Sequence, residues 1–144
     1  MKTAIVNGRY ITPHRIVEGG ALLIEDGVIS GLVKESRPQA DTYIDAKGAF
    51  VSPGFIDIHT HGGGGHDFMD GTPEAIIQAC RAHLEHGTTS ICPTTLTCTD
   101  QELAVFFECY RQAKARMADG PEMLGIHMEG PYFSMEQRGA QAAT

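Results

Sequence analysis

Phe55-Ile56-Asp57-Ile58-His59-Thr60-His61, entered through Pro53-Gly54, decides how this chain is read. Apolar and polar residues alternate along it, which predicts a strand over Phe55 to His59. Successive side chains of a strand point to opposite faces, so His59 and His61 are placed on one face. Ile56 and Ile58 are placed on the other, packed under helices. Glycines 62 to 65 follow as a loop that leaves room over the strand end.

Downstream, the period changes to that of a helix. Thr72 is a cap, Pro73 suits the first helical position, and Glu74 lies in the positive first turn. Ile77, Cys80 and Leu84 recur on one face, and Gly87 stops the segment. Thr88 to Pro93 reads as a second strand. Thr99-Asp100-Gln101-Glu102 has the form of a capping box. It opens a second helix with an apolar stripe of Leu103, Phe106, Phe107 and Tyr110. Met123 to Met128 reads as a third strand, ending in a tight turn at Glu129-Gly130-Pro131. Strand, helix, strand, helix, strand implies parallel pairing through right-handed crossovers. Either an open doubly wound sheet or the opening of a (β/α)8 barrel fits that order. No G-x-G-x-x-G follows a strand, which disfavours a dinucleotide-binding sheet. A complete barrel needs about 250 residues, so the chain is expected to hold the first three β/α units.

Upstream, residues 1–50 read as short strands with no helical periodicity. Ala4 to Val6 precede the turn Asn7-Gly8, and Ala21 to Glu25 and Val28 to Val33 flank the hairpin turn Asp26-Gly27. Lys47-Gly48 marks a further turn. The expectation is a small antiparallel β unit.

The 144 residues are 42% apolar and 20% charged, a globular composition. Eleven basic against eighteen acidic side chains give a net charge of −7, with no basic run, which disfavours nucleic acid as a partner. Apolar runs fall far short of the ~20 residues needed to span a bilayer. Met1-Lys2-Thr3-Ala4 leads into a strand rather than a signal peptide, so a cytoplasmic location is expected. Cys80, Cys92, Cys98 and Cys109 form no C-x-x-C pair and are expected as reduced, partly buried thiols.

Chemistry is sought where His59, His61 and His66 crowd together. Two imidazoles two apart at a strand end can converge on one cation, and neutral imidazole suits zinc, iron, nickel or cobalt. H-x-H alone is weak. It gains weight from its place at the carboxyl end of a barrel-like strand, where such barrels carry their sites. The third strand delivers His127 and Glu129 to the same rim, and a carboxylate there supplies a hard oxygen ligand. His127 reads as a structural or supporting neighbour, His66 as a loop residue.

Pro53 to His61 resembles the opening strand of the amidohydrolase superfamily, which binds catalytic metal through such an H-x-H. Gly125-Ile126-His127-Met128-Glu129-Gly130-Pro131-Tyr132-Phe133, followed by Arg138-Gly139-Ala140-Gln141, is similar to the superfamily's deacetylases of N-acetylglucosamine 6-phosphate. Gly87-Thr88-Thr89-Ser90 and Pro93-Thr94 fit the same family. The resemblance implies that residues 1–50 are part of a small β-sandwich and 51–144 the N-terminal portion of a metal-dependent (β/α)8 TIM-like barrel. It implies metal-dependent hydrolysis of the acetamide of a phosphosugar, giving glucosamine 6-phosphate and acetate. Glu129 matches the ligand of the main metal, and His59 and His61 match a pair that supports a second metal in some members. Ala140 and Gln141 match a pair that contacts the sugar. One or two divalent cations, zinc, iron or similar, are implied per complete chain, and a homo-oligomer when complete. The family's catalytic aspartate and two further histidines lie on later strands, none within these residues. Alone, residues 1–144 are therefore expected to be inactive and prone to associate through bare strand edges. Another amidohydrolase hydrolase, or an inactive truncated binding module, are the rival readings.

Overall fold

The structure is a computed structural model that describes residues 1–130 and 133–142. The chain divides into two compact units, Met1–Pro53 and Gly54–Thr144.

The first unit is all strand. β1 (Lys2–Val6), β4 (Ala21–Glu25), β5 (Val28–Val33) and β6 (Thr42–Asp45) form a sheet ordered β5-β4-β1-β6; β2 (Arg9–Ile11), β3 (Ile16–Glu18) and β7 (Phe50–Val51) form another, ordered β3-β2-β7. The hairpin β4–β5 turns at Asp26 and Gly27, both with positive φ (50° and 83°), the geometry that matches the twist of its strands. Ala4, Val6, Ala21 and Leu23 make its small core. Buried Tyr10 donates its hydroxyl to the Ile5 carbonyl at 2.8 Å, which offsets the cost of burying that polar group. The unit is not purely antiparallel as the turn signals suggest. β6 runs parallel to β1 and β7 parallel to β2, because the coil between β5 and β6 carries the chain back to the far edge of its sheet.

The second unit has the expected alternation. β8 (Phe55–Thr60), α1 (Pro73–Glu85), β11 (Thr88–Pro93), α2 (Asp100–Arg116) and β12 (Glu122–Met123) build a parallel three-stranded sheet ordered β12-β11-β8. Thr72 caps α1 by accepting from the Ala75 amide at 3.2 Å, with Pro73 at the start of the helix, as read. Both halves of the Thr99–Glu102 capping box are present on α2. The core joins Ile76, Ala79 and Cys80 of α1, Ile91 of β11, and Phe106 and Ala113 of α2. Burial pushes the Cys80 thiol up to about 12. The α2 stripe differs by one position: Phe106, Cys109 and Ala113 are buried, whereas Phe107 is 39% exposed. A 3.6-residue turn carries the residue after a core position off the buried face. Among the described residues no helix is long and apolar enough to cross a membrane.

Three further expectations change. The loop at Gly62 to Gly65 contains a short hairpin, β9 (Gly62–Gly63) with β10 (His66–Asp67). Gly63 and Gly64 serve close approach to α1, a Cβ at Gly64 lying 2.9 Å from the Ala82 side chain, and only Gly65 faces open space among the four. The third strand is regular only at Glu122–Met123. Leu124 N–H bonds the Ile91 carbonyl and His127 N–H the Pro93 carbonyl, so three residues on one side match two on the other and the ladder breaks. Ile56 and Ile58 do not pack under helices; each is 65% exposed. Ile56 adjoins Asp57, which faces α1, and so points to the sheet face that the helices leave uncovered.

Losing the Thr99 hydroxyl leaves an orphan amide at the start of α2. Thr99→Ala is expected to cost about 1 kcal/mol in urea denaturation at neutral pH. Accepting first the Thr99 backbone N–H and then the Thr99 hydroxyl holds the Glu102 carboxyl below its ordinary range, and the substitution removes the second of these bonds. A lowered folded pKa gives stability that is present above the unfolded value, roughly 4.3, and lost as pH falls through the folded one. The cost of the substitution should therefore shrink on acidification below about pH 4 and stay level up to pH 8.

Candidate metal centre

The site forms where β8 ends. Between Asp57 and Thr60 the strand advances three residues while β11 advances two, from Ile91 to Pro93. The Asp57 carboxylate accepts from the His59 N–H at 3.1 Å, a local side-chain bond that competes with regular pairing. This bulge breaks the alternation, so Asp57 and Thr60 both face His83 on α1. Asp57 Oδ2 lies 3.9 Å from His83 Nδ1, and Thr60 Oγ1 lies 3.2 Å from His83 Nε2. The Gly62 carbonyl sits 3.0 Å from that same Nε2, and because a carbonyl only accepts, Nε2 carries a proton there.

His59 and His61 converge on Glu129. His59 Nε2 is 2.5 Å and His61 Nε2 3.1 Å from one oxygen, Glu129 Oε2. One donor atom from each of these three side chains falls within 4.8 Å of the others, a spacing that could hold a cation. The imidazoles meet edge to face, with centroids 5.3 Å apart. The hydrogen bond from His59 holds the Glu129 carboxyl below the usual range, helped by Gln141 and by the His61 charge and opposed by burial.

Glu129 is fixed from the loop after β11. Its amide donates to Thr95 Oγ1 at 3.0 Å, and the Thr95 amide donates to the His127 carbonyl at 3.1 Å. Thr94, also buried, exchanges backbone and hydroxyl bonds with Thr60 at 3.0 Å. Gly130 has φ 84°, and a Cβ there would meet Thr97 Oγ1 at 3.0 Å, so the turn after Glu129 favours glycine. Pro131, read as part of that turn, lies outside the described residues. Thr95, Thr97, Asp57 and His83 were not singled out from the sequence. The one local signal was the threonine run Thr94-Thr95-Leu96-Thr97 at a strand end.

The other candidates separate. The His127 ring packs 4.4 Å from that of His59, and its buried Nδ1 has no partner among the described residues. His66 is in β10, with Nδ1 4.0 Å from Asp70, and is not one of the three grouped donors. Ala140 is exposed. Gln141 joins the cluster: its Nε2 donates to Glu129 Oε1 at 2.8 Å.

A family model described as "Amidohydrolase family" matches residues 50–143. The chain belongs to the amidohydrolase family. Members of this family are generally metal-dependent, and the His59–His61–Glu129 group supplies a donor set of that kind. N-acetylglucosamine-6-phosphate deacetylase of Bos taurus is 38% identical over 142 residues, covering 90% of this chain and 34% of the relative. N-acetylgalactosamine-6-phosphate deacetylase of Escherichia coli O157:H7 is 33% identical, covering 92% of this chain and 34% of the relative. The crystal structure of N-acetylglucosamine-6-phosphate deacetylase from Pasteurella multocida superposes with a TM-score of 0.84 at 30% identity, over 99% of this chain and 38% of that one. This amidohydrolase chain thus spans about a third of the length of the curated relatives it matches.

Proposed function

We propose that the whole protein is a metal-dependent deacetylase that hydrolyses the acetamide of N-acetylglucosamine 6-phosphate to glucosamine 6-phosphate and acetate. In this reading Gly54–Thr144 is the opening of a (β/α)8 barrel, and Met1–Pro53 contributes strands to a small β-sandwich. The observation that carries it is the convergence of His59 Nε2, His61 Nε2 and Glu129 Oε2 at the carboxyl end of a parallel sheet. Barrel enzymes place their chemistry at that end. The similarity to phosphosugar deacetylases over nine-tenths of the chain supports the substrate class.

The donor set fits a divalent cation. Two imidazole nitrogens and one carboxylate oxygen suit zinc or iron, and the buried Nδ1 of His61, which has no hydrogen-bond partner among the described residues, leaves Nε2 as that ring's working atom. A divalent cation supplies a water of lowered pKa and polarises an amide carbonyl. The chain's own residues would hold and orient. His59 and His61 present nitrogen, Glu129 presents a charged oxygen, and Thr95 fixes the Glu129 backbone. Gln141, near the exposed Ala140, lies where a sugar could be contacted. In this reading the proton for the leaving amine comes from the family's aspartate on a later barrel strand.

Acetate release from N-acetylglucosamine 6-phosphate tests the reading, measured on the whole protein after chelation and again after adding zinc. We expect loss with chelation and recovery with metal. The galactosamine isomer, run in parallel, fixes the preferred epimer. A metal-loaded protein that releases acetate from neither phosphosugar would sink the proposal.

A further inference from the structure

Gln141 is chemically constrained in a way that its place in a sugar-contacting loop does not require. Its Oε1 accepts the Thr97 backbone N–H at 2.8 Å, and its Nε2 donates to Glu129 Oε1 at 2.8 Å. A backbone N–H can only donate, so the atom facing Thr97 is the amide oxygen and the one facing Glu129 is the nitrogen. The amide therefore has one permitted orientation, settled by its partners. Its backbone is tethered as well: the Gln141 N–H donates to the Arg138 carbonyl at 3.1 Å, and the Arg138 guanidinium donates back to the Gln141 carbonyl.

The consequence falls on Glu129. Its Oε2 faces both imidazoles while its Oε1 is engaged by Gln141. We propose that Gln141 is a positioning residue that fixes the Glu129 carboxylate so that a single oxygen faces His59 and His61, and that it thereby sets the cation affinity of the centre. The inference rests on the metal reading given above. The amide ties the carboxylate to buried Thr97, so the loop after β11 grips Glu129 twice, through Thr95 at its backbone and through Gln141 at its side chain.

A mere sugar contact and a positioning residue differ in what their loss changes. Partners that orient metal ligands typically alter affinity by 10–100-fold when removed. Zinc affinity of the metal-free whole protein, measured by calorimetric titration, should fall about tenfold or more in Gln141→Met, which keeps the volume without the polar atoms. Gln141→Glu should fall further, because it sets a second carboxylate against Glu129 Oε1. Thermal melts of the metal-free forms show whether each variant folds; if Gln141→Met does not, Gln141→Ala takes its place, with the same drop expected. Unchanged zinc affinity in folded variants, with only a raised KM for N-acetylglucosamine 6-phosphate, overturns the proposal and leaves Gln141 a substrate contact. Glu129→Ala separates the underlying reading: if it too leaves zinc binding unchanged, the metal centre itself is misassigned, whatever Gln141 does.

Discussion

Glu129→Ala in the whole protein is expected to lower divalent-cation affinity by more than about 100-fold and to remove nearly all acetate release from N-acetylglucosamine 6-phosphate. The expected loss exceeds that for supporting residues because the substitution deletes the one negative charge among the three grouped donors. It also strips both imidazoles of their shared acceptor, Oε2, and Gln141 of its partner at Oε1. Glu129→Gln discriminates further. It keeps the shape and an oxygen, but the amide nitrogen must then face either Gln141 Nε2, donor against donor, or the imidazoles, where it replaces the charged oxygen that both rings share. A severe loss in both variants is expected, read as bound metal by elemental analysis and as turnover. Near-normal metal and rate in both would remove Glu129 from the ligand set. The backbone of the site should survive either change, since Thr95 grips the main chain of Glu129 and not its carboxylate.

What could be read from the sequence was what local chemistry determines. Thr72-Pro73 and the Thr99–Glu102 box fixed two helix starts, because a cap is satisfied within its own turn. Asp26-Gly27 fixed a hairpin, because the turn alone dictates positive φ. Pairing between distant segments was not visible. The parallel partners of β1 and β2 depend on where a connecting coil crosses, and turn residues do not encode that. Residue types alone predict a third strand regular through Met128, but its ladder breaks where three of its residues match two on β11. The site was legible in its ends and not in its middle. His59, His61 and Glu129 meet as their residue types and strand-end places suggested. Strict alternation would put Asp57 with the histidines, yet the bulge turns it toward His83. The Thr95 hydroxyl accepts from a backbone N–H 34 residues on and the Thr97 backbone N–H donates to a side chain 44 residues on, relations that only the folded chain displays.

His59→Asn with His61→Asn is the second substitution expected to have a large effect, and it asks how many cations the centre holds. Asparagine keeps a polar amide near the Nδ1 position but stops short of Nε2, so the double variant removes both imidazole coordination and the imidazole contacts to Glu129 Oε2. Glu129 keeps its other supports, Gln141 at Oε1 and Thr95 at the backbone. If the two imidazoles serve a second cation, the wild-type whole protein binds more than one zinc per chain. The double variant should then bind one fewer and retain reduced deacetylase activity through the cation that Glu129 still helps to hold. The structure makes the pair act together: both Nε2 atoms address one oxygen, and the rings meet edge to face at 5.3 Å. Either single variant should therefore lose most of what the double variant loses, a non-additivity expected of side chains sharing one partner. Zinc counted by elemental analysis and rates on the phosphosugar supply the two readouts. A wild-type count of one that the double variant loses would place the imidazoles on the same cation as Glu129, whereas an unchanged count in the double variant would assign them to orienting Glu129 through hydrogen bonds.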